Sequence, residues 1–178
     1  MNKSKISICI MGFLSTALLV YLDQLSKQLA VTYLAGDRDI ALIPGVLQLH
    51  YLENTGAAFS LLENKMWLFY FLTPILCVFM ALLFVRLPQD KKFHLLRIVL
   101  IFLIAGAIGN FIDRVLYQYV IDFIYVSLIN FPVFNVADIY VTCSVVVLFL
   151  LILFVYSDED LSVIMDKMKF WKKSSIER

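Results

Sequence analysis

MWLFYFLTPILCVFMALLFV, residues 66–85, contains no Asp, Glu, Lys, Arg or His. A helix of that length rises about 30 Å, the thickness of a bilayer's hydrocarbon core, so the stretch reads as a membrane span with Pro74 inside it. Outward from it, three more stretches qualify. Ile6–Leu22 is free of charge, and its helical character runs on to about Tyr33 past Asp23 and Lys27. Ile98–Ile112 is charge-free but short, so the helix is expected to take in Leu95 and Asp113; Ile139–Ser157 is entered through Asp138. The composition agrees: 178 residues, 62% hydrophobic and 16% charged, with mean hydropathy +0.87. A soluble domain carries about 45–50% apolar and about 25% charged residues, and one of this size could not enclose so much apolar surface. The net charge of +1 gives no field directed at nucleic acid.

Lys and Arg set the expected orientation. Lys3 and Lys5 precede the first span; Arg86, Lys91, Lys92 and Arg97 lie between the second and third; Lys167, Lys169, Lys172, Lys173 and Arg178 follow the fourth. Eleven of the 15 basic residues thus fall on one side, which predicts cytoplasmic termini and outward-facing loops at 35–65 and 115–137. The competing reading of the N-terminus, a cleaved signal peptide, lacks a small-x-small cleavage site and has Asp23 directly behind the apolar run. Cys9, Cys77 and Cys143 fall inside spans and read as small packing residues.

In the first loop, Pro44-Gly45 is a turn pair, and Val46–Tyr51 alternates loosely enough for a strand. A small β-structure on the outer surface is expected. The second loop, apolar and aromatic from Val115 to Pro132, is expected as a short interfacial helix or partly buried segment. The tail places Leu161, Ile164, Met165, Met168 and Trp171 at helical spacing, either as a cytoplasmic interfacial helix or as a solvated extension of the last span. The predicted fold is therefore an all-α membrane protein of four transmembrane helices with a small extracytoplasmic β-structure and an interfacial loop segment. A four-span domain covers 1–157, with spans at about 6–33, 66–85, 95–113 and 138–157, and a charged cytoplasmic tail covers 158–178.

This topology gathers the scarce polar residues. Asp23 and Lys27 lie toward the outer end of the first span, Asn110, Asp113 and Arg114 at the outer end of the third, and Asn135 and Asp138 at the outer start of the fourth. Asp122 lies in the loop between them. Ionisable groups near hydrocarbon are expensive and mark function. The only histidines, His50 and His94, lie on opposite sides of the membrane, and neither G-x-S-x-G nor H-E-x-x-H occurs. A Ser-Lys pair is conceivable from Ser26 or Ser60 with Lys27, although Asp23 at i−4 is a ready partner for that lysine. Carboxylate chemistry remains: of two close aspartates one keeps its proton, and the other can deprotonate water.

The segments Asp23-Gln24-Leu25-Ser26-Lys27, Glu53–Ser60, Gly109–Arg114, Ile121-Asp122-Phe123 and Phe134–Asp138 together resemble the motifs of the bacterial lipoprotein signal peptidase (signal peptidase II) family. They stand in that family's order, over about residues 6–157. The resemblance implies an intramembrane aspartyl endopeptidase that removes the signal peptide from prolipoproteins just before a diacylglyceryl-modified Cys. It makes Asp122 and Asp138 the catalytic pair, with Asp23, Lys27, Asn54, Gly56, Asn110, Asp113, Arg114 and Asn135 at pocket and support positions. On the residues alone, Asp113 competes with Asp122 for the second carboxylate; its neighbour Arg114 argues for an ionised, structural role. Asp138 competes with a plain helix N-cap, and Ala105, Gly106 and Gly109 read as close-packing positions. Neither metal nor cofactor is expected; the expected partners are lipid-modified prolipoproteins and membrane lipids, for a monomer in the bacterial inner membrane with its site near the outer face. The alternative is a small proton-coupled carrier or accessory subunit using the same Asp and Lys as a relay. A purely structural scaffold leaves the gathered charges unexplained.

Overall fold

The computed structural model describes residues 3–36, 38–56 and 66–169. Asp37, Ala57–Ser60 of the second motif, Lys65 and the tail beyond residue 169, with Trp171, lie outside them. Among the described residues, five α-helices and three strands follow in the order α1 (Lys3–Leu34), β1 (Ile40–Ile43), β2 (Leu47–Asn54), α2 (Met66–Arg86), α3 (His94–Tyr117), β3 (Val120–Tyr125), α4 (Val136–Phe154) and α5 (Asp158–Met168). The first four helices are long and apolar enough to cross a membrane. In lipid a segment must satisfy its backbone internally, and continuous helices do so. α1 accordingly runs unbroken through Asp23 and Lys27, and α2 through Pro74.

The burial pattern is inverted relative to a soluble protein. Phe13, Phe71, Ile75, Phe149 and Phe154 are all exposed, whereas the largest fully buried side chains are Lys27, Asn135, Asp23, Asp113 and Asp122. α3 packs against α1, α2 and α4. At one end of the bundle an apolar cluster of Phe84, Leu87, Phe93, Leu96, Val99, Leu100, Leu151 and Tyr156 closes the core. Arg97 reaches the chain beyond α2 there, donating to the carbonyls of Leu87 and Pro88.

The other end carries an antiparallel sheet in the order β1-β2-β3. Pro44 and Gly45 (φ 72°) turn β1 into β2, closed by Val46 N donating to Ile43 O at 2.9 Å, a geometry that requires the positive φ glycine supplies. The second loop is the buried segment of the two expected alternatives rather than the short helix, and it is built as a strand. Its first residues, Val115–Tyr117, finish α3, and Gln118 in a left-handed conformation (φ 68°) ends that helix. The β-branched and aromatic run Val120–Tyr125 then pairs with β2, because the exposed edge of β2 supplies the backbone partners that a lone segment near lipid lacks. The last helix is separate from α4. Ser157 caps it, Lys92 pairs with Asp160, Arg86 donates to Lys167 O at 3.4 Å, and Phe93 stacks on Tyr156.

Close approach of α3 to α4 depends on Gly106. A Cβ there would lie 2.6 Å from the Ala137 carbonyl oxygen and 2.7 Å from Val141 Cγ2. Gly106→Ala is expected to lower stability by about 1–3 kcal/mol, read as a lower thermal midpoint of the detergent-solubilised protein; an unchanged midpoint would show that the α3–α4 contact yields freely.

Candidate active site

Three features bring the site together. α1 and α3 lie side by side, so Asp23 and Lys27 face Asn110 and Asp113. The 3.6-residue period sets Asp23 and Lys27 one turn apart, and Lys27 Nζ sits 3.0 Å from Asp23 Oδ2 and 2.9 Å from Asp113 Oδ2. Next, residue 134 is sewn to β3: Phe123 N and Ile124 N donate to Phe134 O at 3.0 and 2.8 Å, and Phe134 N donates to Ile124 O at 3.0 Å. That bridge delivers the start of α4 beside Asp122. Finally, Asn54 at the end of β2 lies diagonally across from Asp122 on β3, and its Nδ2 donates to Asp122 Oδ2 at 2.8 Å.

Asp138 is not the helix cap that its position allows. Asn135 is the N-cap of α4, and Asp138 is its third helical residue, in a capping box. Asp138 N donates to Asn135 Oδ1 at 3.0 Å, and Asn135 N donates to Asp138 Oδ2 at 3.1 Å. Asn135 Nδ2 donates to Asp122 Oδ1 at 2.6 Å and to Asn110 Oδ1 at 3.0 Å, while Asn110 Nδ2 donates to Asp138 Oδ1 at 2.7 Å. Two asparagines therefore bridge the two aspartates.

All ten residues singled out in the sequence meet in one network. Gly56 N donates to Asn54 Oδ1 at 3.0 Å, and Gly56 O accepts from Arg114 Nη2 at 3.3 Å. Arg114 directs its hydrogen bonds elsewhere than Asp113: its Nη1 donates to Asn110 O at 3.1 Å, and its guanidinium lies 4.3 Å from the centre of the Phe69 ring. What holds Asp113 is instead Lys27, Gln24 Nε2 at 2.9 Å and Ile121 N at 3.1 Å, so the sequence neighbour is not the structural partner. Adjacent residues on a helix diverge by about 100°, which separates their side chains.

Gln24 was missed as a site residue. It also donates to Gly109 O at 3.1 Å and to Asp23 Oδ2 at 3.3 Å; its only signal was its place between two charged motif positions. Tyr70, whose hydroxyl donates to Arg114 O at 2.8 Å, had no signal within its apolar span. Gly109 carries no Cβ because one would lie 2.5 Å from Asp23 Oδ2. His50 pairs with Asp39 in the open, away from the network.

Burial pushes the Asp122 carboxyl up to about 7, and the Asp138 charge adds to the rise; the Asn54 and Asn135 hydrogen bonds and the Lys27 charge act in the opposite sense. Asp122 and Asp138 thus form two coupled carboxylates in unlike settings, one on a strand and the other in the first turn of a helix. Such a pair can hold one proton between them near neutral pH. Among the described residues, no group of three His, Cys, Asp or Glu side chains is placed to hold a metal ion.

The sequence profile of the family described as Signal peptidase (SPase) II matches residues 15–154. The chain belongs to the signal peptidase II family. The lipoprotein signal peptidase of Enterococcus faecalis is 44% identical over 143 residues, covering 80% of this chain and 88% of the relative. That of Streptococcus pyogenes serotype M5 is 41% identical over 147 residues, covering 83% and 93%. Two solved structures of bacterial membrane enzymes, each 32% identical, superpose with TM-scores of 0.72 and 0.70, covering 80% and 82% of this chain and 87% and 94% of theirs. Membership in signal peptidase II makes the chain a protease of lipoprotein processing and a multi-pass protein of the bacterial inner membrane.

The buried and exposed ion pairs of this signal peptidase II chain differ in consequence. Asp113→Ala leaves Lys27 short of a partner and Ile121 N unpaired inside the protein, and is expected to cost about 3–5 kcal/mol. Asp39→Ala, which breaks the exposed pair with His50, is expected to cost under about 1 kcal/mol. Thermal unfolding of both variants in one detergent checks the contrast.

Proposed function

We propose that the chain cleaves diacylglyceryl-modified prolipoproteins just before the modified Cys, with Asp122 and Asp138 as an aspartyl dyad that activates water. One carboxylate takes a proton from water as the water oxygen adds to the scissile carbonyl. The other gives its proton to the carbonyl oxygen, and a proton is later returned to the leaving amine. The observation that carries this reading is the pair itself. Asp122 and Asp138 are bridged through Asn135 and Asn110, while the competing carboxylates are occupied: Asp113 by Lys27, Gln24 and Ile121 N, and Asp23 by Lys27, Gln24 and Ala137 N at 2.9 Å.

Electrostatics supports a shared proton, since a carboxyl raised to about 7 is a competent acid at neutral pH where an ordinary carboxyl is ionised. The positive-inside pattern supports cytoplasmic termini and a site at the outer face, where a secreted precursor emerges. The proton-carrier alternative requires ionisable groups spread across the bilayer. Among the described residues the buried charges are Asp23, Lys27, Asp113 and Asp122 in the network and Arg97 at the far end, with apolar core between.

Asp122→Asn and Asp138→Asn are each expected to lower cleavage of a diacylglyceryl-modified precursor by about a thousandfold or more, followed as a mobility shift on gels. Native rates for both would overturn the dyad. The pH profile has a fixed sign. Because the Asp122 value in the fold lies above the ordinary carboxylate value, the protonated form is favoured and is lost as pH rises through about 7. kcat is therefore expected to fall on the alkaline side with an apparent midpoint near that value, a property of the coupled pair.

A further inference from the structure

Lys27 holds a position that charge balance alone does not require. Two of its ammonium contacts are the carboxylates of Asp23 and Asp113, but a third is an amide oxygen: Lys27 Nζ donates to Asn110 Oδ1 at 2.9 Å. Asn110 Oδ1 also accepts from Asn135 Nδ2 at 3.0 Å. A carboxamide has one accepting and one donating end. Two donors on Oδ1, one of them a cation, leave the Asn110 amide a single orientation, with Nδ2 against Asp138 Oδ1 at 2.7 Å. Turned over, the amide would set its oxygen against a carboxylate and its nitrogen against an ammonium.

Asp138 and Asp122 sit in unlike surroundings. Asp138 lies in the first turn of α4, where the helix dipole stabilises negative charge, and its Oδ2 accepts the Asn135 backbone N–H at 3.1 Å. Asp122 lies on a strand without that support, and one of its two amide partners, Asn54, is on the partly exposed end of β2.

We propose that Lys27 is a positioning residue: by holding Asn110 Oδ1 it keeps the Asn110 amide donating to Asp138 and so fixes Asp138 as the ionised member that takes water's proton. This rests on the dyad reading and assigns its two roles. Asp138 accepts a proton from water as the water oxygen bonds to the scissile carbonyl carbon, and Asp122 gives its proton to the carbonyl oxygen. On collapse the C–N bond breaks, the amine nitrogen takes the proton from Asp138, and a hydroxyl of the intermediate returns a proton to Asp122. Both carboxyls end as they began.

The other charged groups that face the pair come from α3 and β3: Arg114 interacts most with Asp138 and then with Asp122, Asp113 and Tyr70, and Asp138 faces Asp122.

The test is the pH dependence of kcat and KM on a lipid-modified precursor, with thermal unfolding of each variant in the same detergent. Lys27→Met is expected to lower kcat about a hundredfold and to move the acid limb upward by about one pH unit, with little change in KM. Lys27→Gln, which can still donate to Asn110 Oδ1 without charge, is expected to retain more kcat than Lys27→Met at an equal thermal midpoint. Asn110→Ala, which leaves both ion pairs intact, must move the acid limb in the same direction. Adding Lys27→Met to it must lower the thermal midpoint again without a further fall in kcat. An acid limb that Asn110→Ala leaves in place, additive losses in the double variant, or kcat that merely tracks the thermal midpoint would each overturn the proposal. Asp138→Asn is the control: if it remains active the dyad itself is wrong, and if it is inactive while the losses are additive, only the role of Lys27 is wrong.

Discussion

An ammonium group buried to 1% exposure between two helices sets the terms for everything around it. Taking Lys27 out of water is costly by several kcal/mol, and only close, well-aimed partners offset that. Asp23 supplies one from the same helix; Asp113 and Asn110 supply the others from α3. Lipid offers no hydrophobic force to press one apolar helix onto another, so polar contacts and small residues decide how such helices pair. The Lys27 contacts fix the pairing of α1 with α3, and glycines at 106 and 109 let α3 approach α4 and Asp23 closely enough to use them. Asp23 extends the same logic to a third helix by accepting the Ala137 N–H at the start of α4.

The second constraint is the junction of the sheet with α4. A helix entering the bundle leaves N–H groups without intrahelical partners. Here they are met by Asn135 and by Asp23, two members of the network. The bridge between β3 and Phe134 sets the entry point, which places Asp138 beside Asp122 although sixteen positions separate them. Capping, sheet pairing and the proposed catalytic geometry are thus one set of hydrogen bonds. A change to one therefore reaches the others.

How much of this was legible in the sequence follows from the same physics. Four apolar stretches announced four helices because lipid permits little else, and the scarcity of charge made each interior Asp, Lys and Arg conspicuous. Pro44-Gly45 and the alternation after it marked the hairpin. β3 was hidden, since Val120–Tyr125 is apolar on both faces apart from Asp122 and has no alternation; only its pairing with β2 makes it a strand. Partner choice was hidden too. Asp113 and Arg114 adjoin in sequence yet serve different contacts, and Gln24 looks ordinary until Asp113 and Gly109 are seen within reach. Whether Asn135 or Asp138 caps α4 turned on three residues of register, finer than composition resolves.

Peptide hydrolysis needs water and charge, and both are scarce beside lipid. A protein that kept its polar groups on the surface would have to leave the bilayer to work. This fold keeps its polar groups inside and at one end, facing a sheet rather than lipid, with the apolar exterior of α1, α2 and α4 left to the membrane. Low polarity around Asp122 is then useful: the burial that makes its ionisation costly keeps a proton available at neutral pH. In the proposed mechanism the opposite carboxylate takes a proton instead, and Asp138 meets a backbone N–H and the Asn110 amide in the first turn of α4. Two chemically identical side chains are set down in unlike places, one on a strand and one in the first turn of a helix. The difference that the proposed acid–base chemistry requires is thereby built by the fold before any substrate arrives.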